Sequence, residues 1–385
     1  MLAMGVWFSA STVVPVLTQI WQLDGAGQAW LTMSVQIGFV AGAFFSAIFT
    51  IADRIPAHQL LSGSSLAAGL TTVAIPLCAG SLLPALLLRF LSGFFLAGVY
   101  PVGMKLVATW TQKDRGLGIG LLVGALTVGS AFPHLLHTFD QLQNWKLLLL
   151  VAALLAILGG GISWLFVRTG PYASKSPPFN WKYVGHIFRD KALFKANLGY
   201  LGHMWELYAM WTWIPLFLTA SFAVSRTSLH WVSILTFLII AIGGLGSAIA
   251  GSLADRFGRT TVTIGSLLTS GACCLLVCVL YGGNPVLLTS FCLLWGFAVV
   301  ADSAQFSACI SELADPEYIG TALTLQTSLG FLLTLISIRM LPVIVAWIGW
   351  QWAFSFLIIG PIIGIWAMYS LRRSPRSIQM ANGRR

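Results

Sequence analysis

Runs of about 20 apolar residues, long enough to cross a bilayer as helix at 1.5 Å rise per residue, follow one another along this chain with short polar stretches between them. Twelve can be marked, over residues 1–21, 28–51, 59–79, 82–106, 117–139, 146–167, 194–221, 229–252, 260–281, 285–311, 319–346 and 350–371. They predict an all-α membrane protein with twelve transmembrane helices. The first run starts at Met1 without a polar lead-in. A signal peptide would bring a basic n-region and a small-residue cleavage site, and neither is there, so the first helix is expected to lack several upstream residues. The longest polar stretch, 169–193, holds Pro171, Pro177 and Pro178 with a basic excess and marks a linker. The expected organisation is an N-terminal six-helix half over 1–168, a cytoplasmic linker over 169–193, a C-terminal six-helix half over 194–371 and a basic tail over 372–385.

Composition and charge sharpen this picture. With 57% hydrophobic and 8% charged residues and a mean hydropathy of +0.86, the chain lies far from soluble domains, which carry roughly 25% charged residues. Many of the 16 tryptophans stand near segment ends, where such side chains rest at headgroup level. The net charge of +10 could suggest nucleic acid, but its placement argues against that partner. With the N-terminus inside, all of the 21 Lys and Arg except Lys146, Arg226, Arg89 and Arg339 fall on the inner side. The positive-inside rule then puts both termini in the cytoplasm. Cys78, Cys273, Cys274, Cys278, Cys292 and Cys309 all lie within apolar runs, without metal-ligand spacing or a disulfide framework. Neither a metal nor another cofactor is expected.

The two halves echo each other. Val14-Pro15-Val16-Leu17-Thr18 returns as Ile214-Pro215-Leu216-Phe217-Leu218-Thr219, and Gly93-Phe94 returns as Gly296-Phe297. Between the eighth and ninth segments stands Gly251-Ser252-Leu253-Ala254-Asp255-Arg256-Phe257-Gly258-Arg259, and a worn copy, Ala52-Asp53-Arg54, follows the second segment. The two aspartates are 255 − 53 = 202 positions apart, about half of the 385 residues. This Gly-x-x-x-Asp-Arg-x-Gly-Arg sequence resembles, position by position, the loop joining the second and third helices of each half in the major facilitator superfamily. The resemblance covers essentially the whole chain and implies two parallel six-helix repeats that work by alternating access. It implies a conformational latch at Asp53, Arg54, Gly251, Asp255, Arg256, Gly258 and Arg259, joining the halves on the cytoplasmic side. The first copy departs from the pattern, since Phe49 replaces the leading Gly and Pro56-Ala57 replaces Gly-Arg; its latch is weakened. A tight turn without a gating role is the plainer alternative.

Ionisable residues at membrane depth are costly and mark candidate pathways. Arg89, in Leu88-Arg89-Phe90-Leu91-Ser92-Gly93, matches the family's Arg-x-x-x-Gly pattern in the fourth helix, linked there to proton coupling or substrate charge. His203 and Glu206 lie in the seventh segment, Asp302 with Ser303 and Gln305 in the tenth, and Gln326 in the eleventh. The resemblance implies that helices 1, 4, 7 and 10 line the central cavity, so Arg89, Glu206 and Asp302 join Trp7 and Phe8 around it. His203, Glu206, Met210 and Trp213 repeat every three or four residues and share one helix face. Trp295, Val299, Asp302 and Gln305 or Phe306 do the same on the tenth segment. A low-dielectric site disfavours a charged carboxylate, which suits Glu206 or Asp302 to proton exchange, and an imidazole such as that of His203 titrates near neutral pH. The candidate substrate and proton pathway is therefore Arg89, His203, Glu206, Asp302, Gln305, Trp7 and Trp213. The competing reading is structural: Arg89 paired with Asp302 or Glu206 would weld the halves, and Gln326 would bond between helices.

Small residues at Gly116, Gly120, Gly124 and in Gly129-Ser130-Ala131 permit close helix approach, expected between the fifth and eighth helices. The family's antiporter glycine motif is matched only loosely, because no Gly-Pro pair follows Gly124. No Gly-x4-Gly-Lys-Ser/Thr loop occurs, which argues against ATP-driven pumping, and nothing in the chain supports an enzyme. The expected function is secondary transport of a small organic solute, coupled to protons, in a bacterial cytoplasmic membrane, by a monomer. Proton-antiport efflux of drugs or metabolites and organic-anion uptake remain the two alternatives. A non-transporting receptor or lipid-handling scaffold would call for long soluble domains.

Overall fold

The computed structural model describes residues 1–110, 115–139, 144–172, 180–315 and 318–384, apart from the side chains of residues 53, 108, 115, 116, 181 and 182. Pro177, Pro178, Lys113, Lys175, Arg385 and the side chains of Asp53, Arg115 and Lys182 therefore lie outside the described residues. Among the described residues ten helices are long and apolar enough to cross a membrane, and a bent pair makes an eleventh crossing. The bent pair is α1, Leu2–Thr12 followed by Val14–Trp21 at 44°. It is followed by α2 (Gly25–Ile48), α3 (Ala57–Cys78), α4 (Leu82–Val107), α5 (Leu117–Leu136), α6 (Trp145–Phe166), α7 (Lys191–Val224), α8 (Leu229–Phe257), α9 (Arg259–Leu280) and α10 (Pro285–Leu313). The last candidate runs 54 residues, Ile319–Arg372, which at 1.5 Å per residue is about 80 Å of helix against a hydrocarbon core of about 30 Å. It is two crossings. Its path breaks at Gly349 (φ 77, ψ 167), a conformation glycine adopts without steric cost, and a 3-10 stretch Phe354–Ile358 follows. This separates α11 (Ile319–Ala353) from α12 (Ile359–Arg372) and completes the twelve helices of an all-α membrane protein.

Leu83 and Leu87 on α4, Leu154, Leu158 and Phe166 on α6, and Val279 and Val286 on α9 and α10 are exposed. Inside the bundle, Arg89, His203, Glu206, Asp302 and Gln305 are buried. An apolar outside around a polar interior is the arrangement a lipid solvent favours. Asp24, Asn144, Asp190 and Asn284 cap the N-termini of α2, α6, α7 and α10, each accepting from backbone N–H groups of the first turn, the groups that have no partner within the helix.

The two repeats pack their helices through matching glycines. A Cβ on Gly93 would overlap the Val35 carbonyl, and one on Gly296 would overlap the Ile239 carbonyl. Gly42 meets the Phe94 carbonyl as Gly246 meets that of Phe297. Thus α2 sits against α4 as α8 sits against α10, with an offset of 239 − 35 = 204 for the carbonyls and 296 − 93 = 203 for the glycines. Between the repeats, α5 and α8 pack as the glycine spacing predicts: a Cβ on Gly124 would lie 2.9 Å from the Gly244 carbonyl oxygen, and one on Gly120 would lie 2.7 Å from that of Ser247.

Two segments outside the membrane helices are more structured than their polar sequences suggest. Helix Trp181–Arg189 lies in the stretch read as a linker. Its Tyr183 ring stacks on Tyr318 at 4.1 Å, and the Tyr183 hydroxyl donates to Asp315 at 3.3 Å. The stretch Pro375–Gly383, read as a basic tail, buries Ser377 and Met380. Arg376 pairs with Asp190 and donates to the Leu313 carbonyl, and the Ala381 N–H donates to Glu312. The tail is thus docked against the N-cap of α7 and the end of α10.

Candidate functional site

Aromatic side chains fill the seam where α1 and α2 meet α7 and α11. The Trp7 ring lies 5.1 Å from Phe39, 5.1 Å from Phe331 and 5.9 Å from Tyr208. Phe8 lies 5.8 Å from Trp211 and 6.2 Å from Tyr208. Beside them the Thr334 hydroxyl of α11 donates to the Gln36 side-chain carbonyl of α2 at 2.9 Å. Trp7 and Phe8 were legible as candidates. Gln36 was missed, although a lone amide within an apolar run was the available signal, and nothing in the sequence singled out Phe331.

Arg89 is completely buried on α4 and points at backbone. Its Nε donates to the Leu31 carbonyl at 3.2 Å, Nη1 to that of Val6 at 2.6 Å, and Nη2 to that of Trp7. The alternative in which Arg89 welds the halves by pairing with Asp302 or Glu206 is not what forms. The guanidinium instead ties α4 to α1 and α2. Its charge is spread over three carbonyl dipoles, a solvation that low dielectric strengthens.

His203 and Asp302 do come together. Nδ1 of His203 lies 2.8 Å from Oδ1 of Asp302, with both side chains 1–2% exposed, and Nε2 lies 2.8 Å from the Ser303 hydroxyl. Asp302 stands where α10 breaks, between helical stretches Pro285–Ala301 and Ser303–Leu313. There the Gln305 N–H bonds the Asp302 carbonyl in a tight i to i+3 turn, a local tightening that often marks a hinge. The α4 helix is interrupted at the corresponding place, between Leu96 and Tyr100.

Helix periodicity placed Glu206 and Trp213 on the His203 face, and the structure separates all three. Glu206 turns into the second repeat, between α7, α9 and α10, where it accepts from Trp295 Nε1 at 2.6 Å, Ser270 at 2.9 Å and Cys274 at 3.3 Å. Trp213 donates to the Ile338 carbonyl of α11 at 3.1 Å. Periodicity fixes the side of a helix, but a fully buried helix has different neighbours across that side. Gln305 is likewise drawn away from the path, because its carbonyl oxygen accepts from Arg259 at 2.9 Å.

That last bond belongs to the Asp-Arg-x-Gly-Arg network. Gly251, Asp255 and Arg256 are still helical in α8, and Gly258 alone (φ 94, ψ 151) makes the turn into α9. Arg259 reaches Asp255 at 2.9 Å and Glu312 at 3.0 Å, and the Asp255 carbonyl accepts from Arg384 at 2.7 Å. The Asp255 carboxylate is engaged by this arginine across the turn. Among the described residues the partners of Arg259 all lie in the second half, so the network ties α8, α9, α10 and the tail together, and Arg256 is exposed. The first-half copy has another shape: Thr50 is left-handed (φ 50), a single helical turn Ile51–Arg54 follows, and among the described residues Arg54 donates locally, to Thr50 at 3.2 Å. Glu312 was not foreseen; its signal was an acidic residue at the end of the tenth apolar run.

Over 262 residues, 59% of this chain, the sequence is 22% identical to an Escherichia coli (strain K12) protein named "Probable L-galactonate transporter". The match spans 58% of that relative's length. The sequence profile of the Major Facilitator Superfamily matches residues 1–337 and, again, 196–384. With twelve membrane helices in two glycine-matched repeats and a family profile covering its length, the chain belongs to the Major Facilitator Superfamily of transporters.

Proposed function

We propose that this protein is a proton-linked secondary transporter for a small organic anion of the sugar-acid kind, working by alternating access between halves 1–168 and 194–371. The observation that carries the reading is the buried His203–Asp302 contact at the break of α10. An imidazole and a carboxylate held 2.8 Å apart away from water form a pair whose charge state alters the cost of burial. The tightened i to i+3 turn there puts this charge where α10 departs from a regular α-helix. The name of the Escherichia coli relative favours a sugar-acid substrate. Glu206, held by three donors within one half, serves as an anchor, and the Arg259 network keeps the ends of α8, α9 and α10 together as the halves move. Placement of Lys and Arg supports cytoplasmic termini.

The test is reconstitution in vesicles holding a pH-sensitive dye, with aldonates added outside. Inward proton movement that accompanies aldonate uptake is the expected result. Aldonate uptake with no proton movement, and no acceleration by an inward proton gradient, overturns the coupling.

A further inference from the structure

Three buried N–H donors in the aromatic seam have no acceptor: Trp7 Nε1, Trp211 Nε1 and the Gln36 amide nitrogen. Trp7 and Trp211 are 1% exposed and Gln36 is fully buried. The three belong to one neighbourhood, since both indoles border the Tyr208 ring, and Gln36 shares Thr334 with the turn of α11 carrying Phe331. The Gln36 carbonyl is already occupied by Thr334, leaving only its donor end. An indole nitrogen can only donate. The seam therefore offers N–H groups and aromatic faces from both halves and, among the described residues, no unpaired carboxylate.

We propose that this seam is the recognition subsite for a hydroxylated carboxylate, with Trp7, Trp211 and Gln36 as its donors and Arg89 as the residue that positions Trp7. The proposal rests on the transport reading above and names the substrate chemistry of that transporter. Carboxylate and hydroxyl oxygens supply the acceptors that the three nitrogens lack, and the Phe39, Tyr208 and Phe331 rings suit the C–H edge of a polyol chain. A cationic solute would face N–H dipoles pointing the wrong way. Arg89 holds the Val6 and Trp7 carbonyls, so it sets the α1 backbone from which the Trp7 indole projects, and acts on the ligand through that indole. The subsite is divided between α1 and α2 on one side and α7 and α11 on the other, so separation of the halves opens it.

The experiment is calorimetric titration of the purified full chain at one pH, without a gradient, using gluconate, galactonate, hexanoate and glucitol as probes. At least one aldonate is expected to bind at least tenfold more tightly than hexanoate or glucitol. Trp7→Phe, Trp211→Phe and Gln36→Leu should each weaken the aldonate tenfold or more. Replacing Trp7 by its benzothienyl isostere, which keeps the ring and lacks the N–H, should do the same in a protein of unchanged shape. Arg89→Lys combined with Trp7→Phe should bind no more weakly than Trp7→Phe alone, because a positioning residue acts through its target. Aldonate affinity unchanged in the isostere and in Gln36→Leu, or no aldonate binding to the parent protein, overturns the proposal. Unchanged affinity beside intact proton-coupled flux sinks the subsite alone, whereas intact, donor-dependent binding without proton movement sinks only the coupling.

Discussion

Replacing Glu206 separates an anchor from a proton carrier. The carboxylate accepts from Trp295, Ser270 and Cys274, and all four side chains belong to the second repeat. In Glu206→Gln the amide oxygen, placed at Oε1, still accepts from Trp295 and Cys274, and the amide NH2 faces the Ser270 hydroxyl, which can accept. The cost should be about 1 kcal/mol, the size of one ordinary net hydrogen bond. In Glu206→Leu, Ser270 can fall back on the Leu267 carbonyl, 3.4 Å away, and the thiol is a weak donor. The Trp295 N–H alone is stranded, and an unmade buried donor together with the lost charged bond gives about 2–4 kcal/mol. The assay pairs thermal unfolding with uptake driven by an inward proton gradient. Melting temperature should fall in the order parent, Gln, Leu, while the Gln variant keeps gradient-driven uptake within a factor of about three, equivalent to less than about 1 kcal/mol. A Gln variant that melts like the parent and has lost gradient-driven uptake would refute the anchor assignment and make Glu206 the proton carrier.

Arg259→Gln removes the ties to Asp255 and Glu312 and should lower turnover several-fold at unchanged substrate affinity; parent-like turnover would reduce the network to a turn. Truncation after Ser374 exposes the site of Met380 and breaks the Arg376–Asp190 pair. Loss of the methionine burial alone is worth about 2 kcal/mol, so the melting temperature should drop, and an unchanged value would contradict the docked tail. Gly124→Val drives a side chain into the Gly244 carbonyl, an overpacking worth about 1–3 kcal/mol, and should slow transport at least tenfold while each half stays folded. Normal transport in that variant would mean that α5 and α8 need not stay so close.

Much of the fold was readable because lipid imposes a coarse rule: each crossing must be a long apolar helix, whatever its partners. Repetition added more, since Gly93 and Gly296 could be matched before their equivalent carbonyl contacts were known. The site was less legible for a physical reason. In a bundle where helices are buried on most sides, a residue such as Glu206 or Gln305 has several inward directions, and spacing along one helix does not choose among them. Arg89 shows the same limit. A buried charge signals that something must compensate it, but its sequence does not reveal that backbone carbonyls of α1 and α2 do so rather than a carboxylate. The tail and the Trp181–Arg189 helix were hidden because their buried anchors, Met380 and Ala381 in one and Tyr183 and Ile187 in the other, make no apolar run long enough to stand out.

The coupling claim is tested most directly by comparing exchange with net uptake in Asp302→Asn. Exchange of labelled for unlabelled aldonate across vesicles requires binding and movement of the loaded carrier, without net proton transfer, whereas net uptake driven by a proton gradient requires the proton site to load and unload. The account predicts that Asp302→Asn keeps exchange near the parent rate and loses gradient-driven uptake. Retention of gradient-driven uptake in that variant, with exchange intact, would contradict the assignment of the proton to His203 and Asp302.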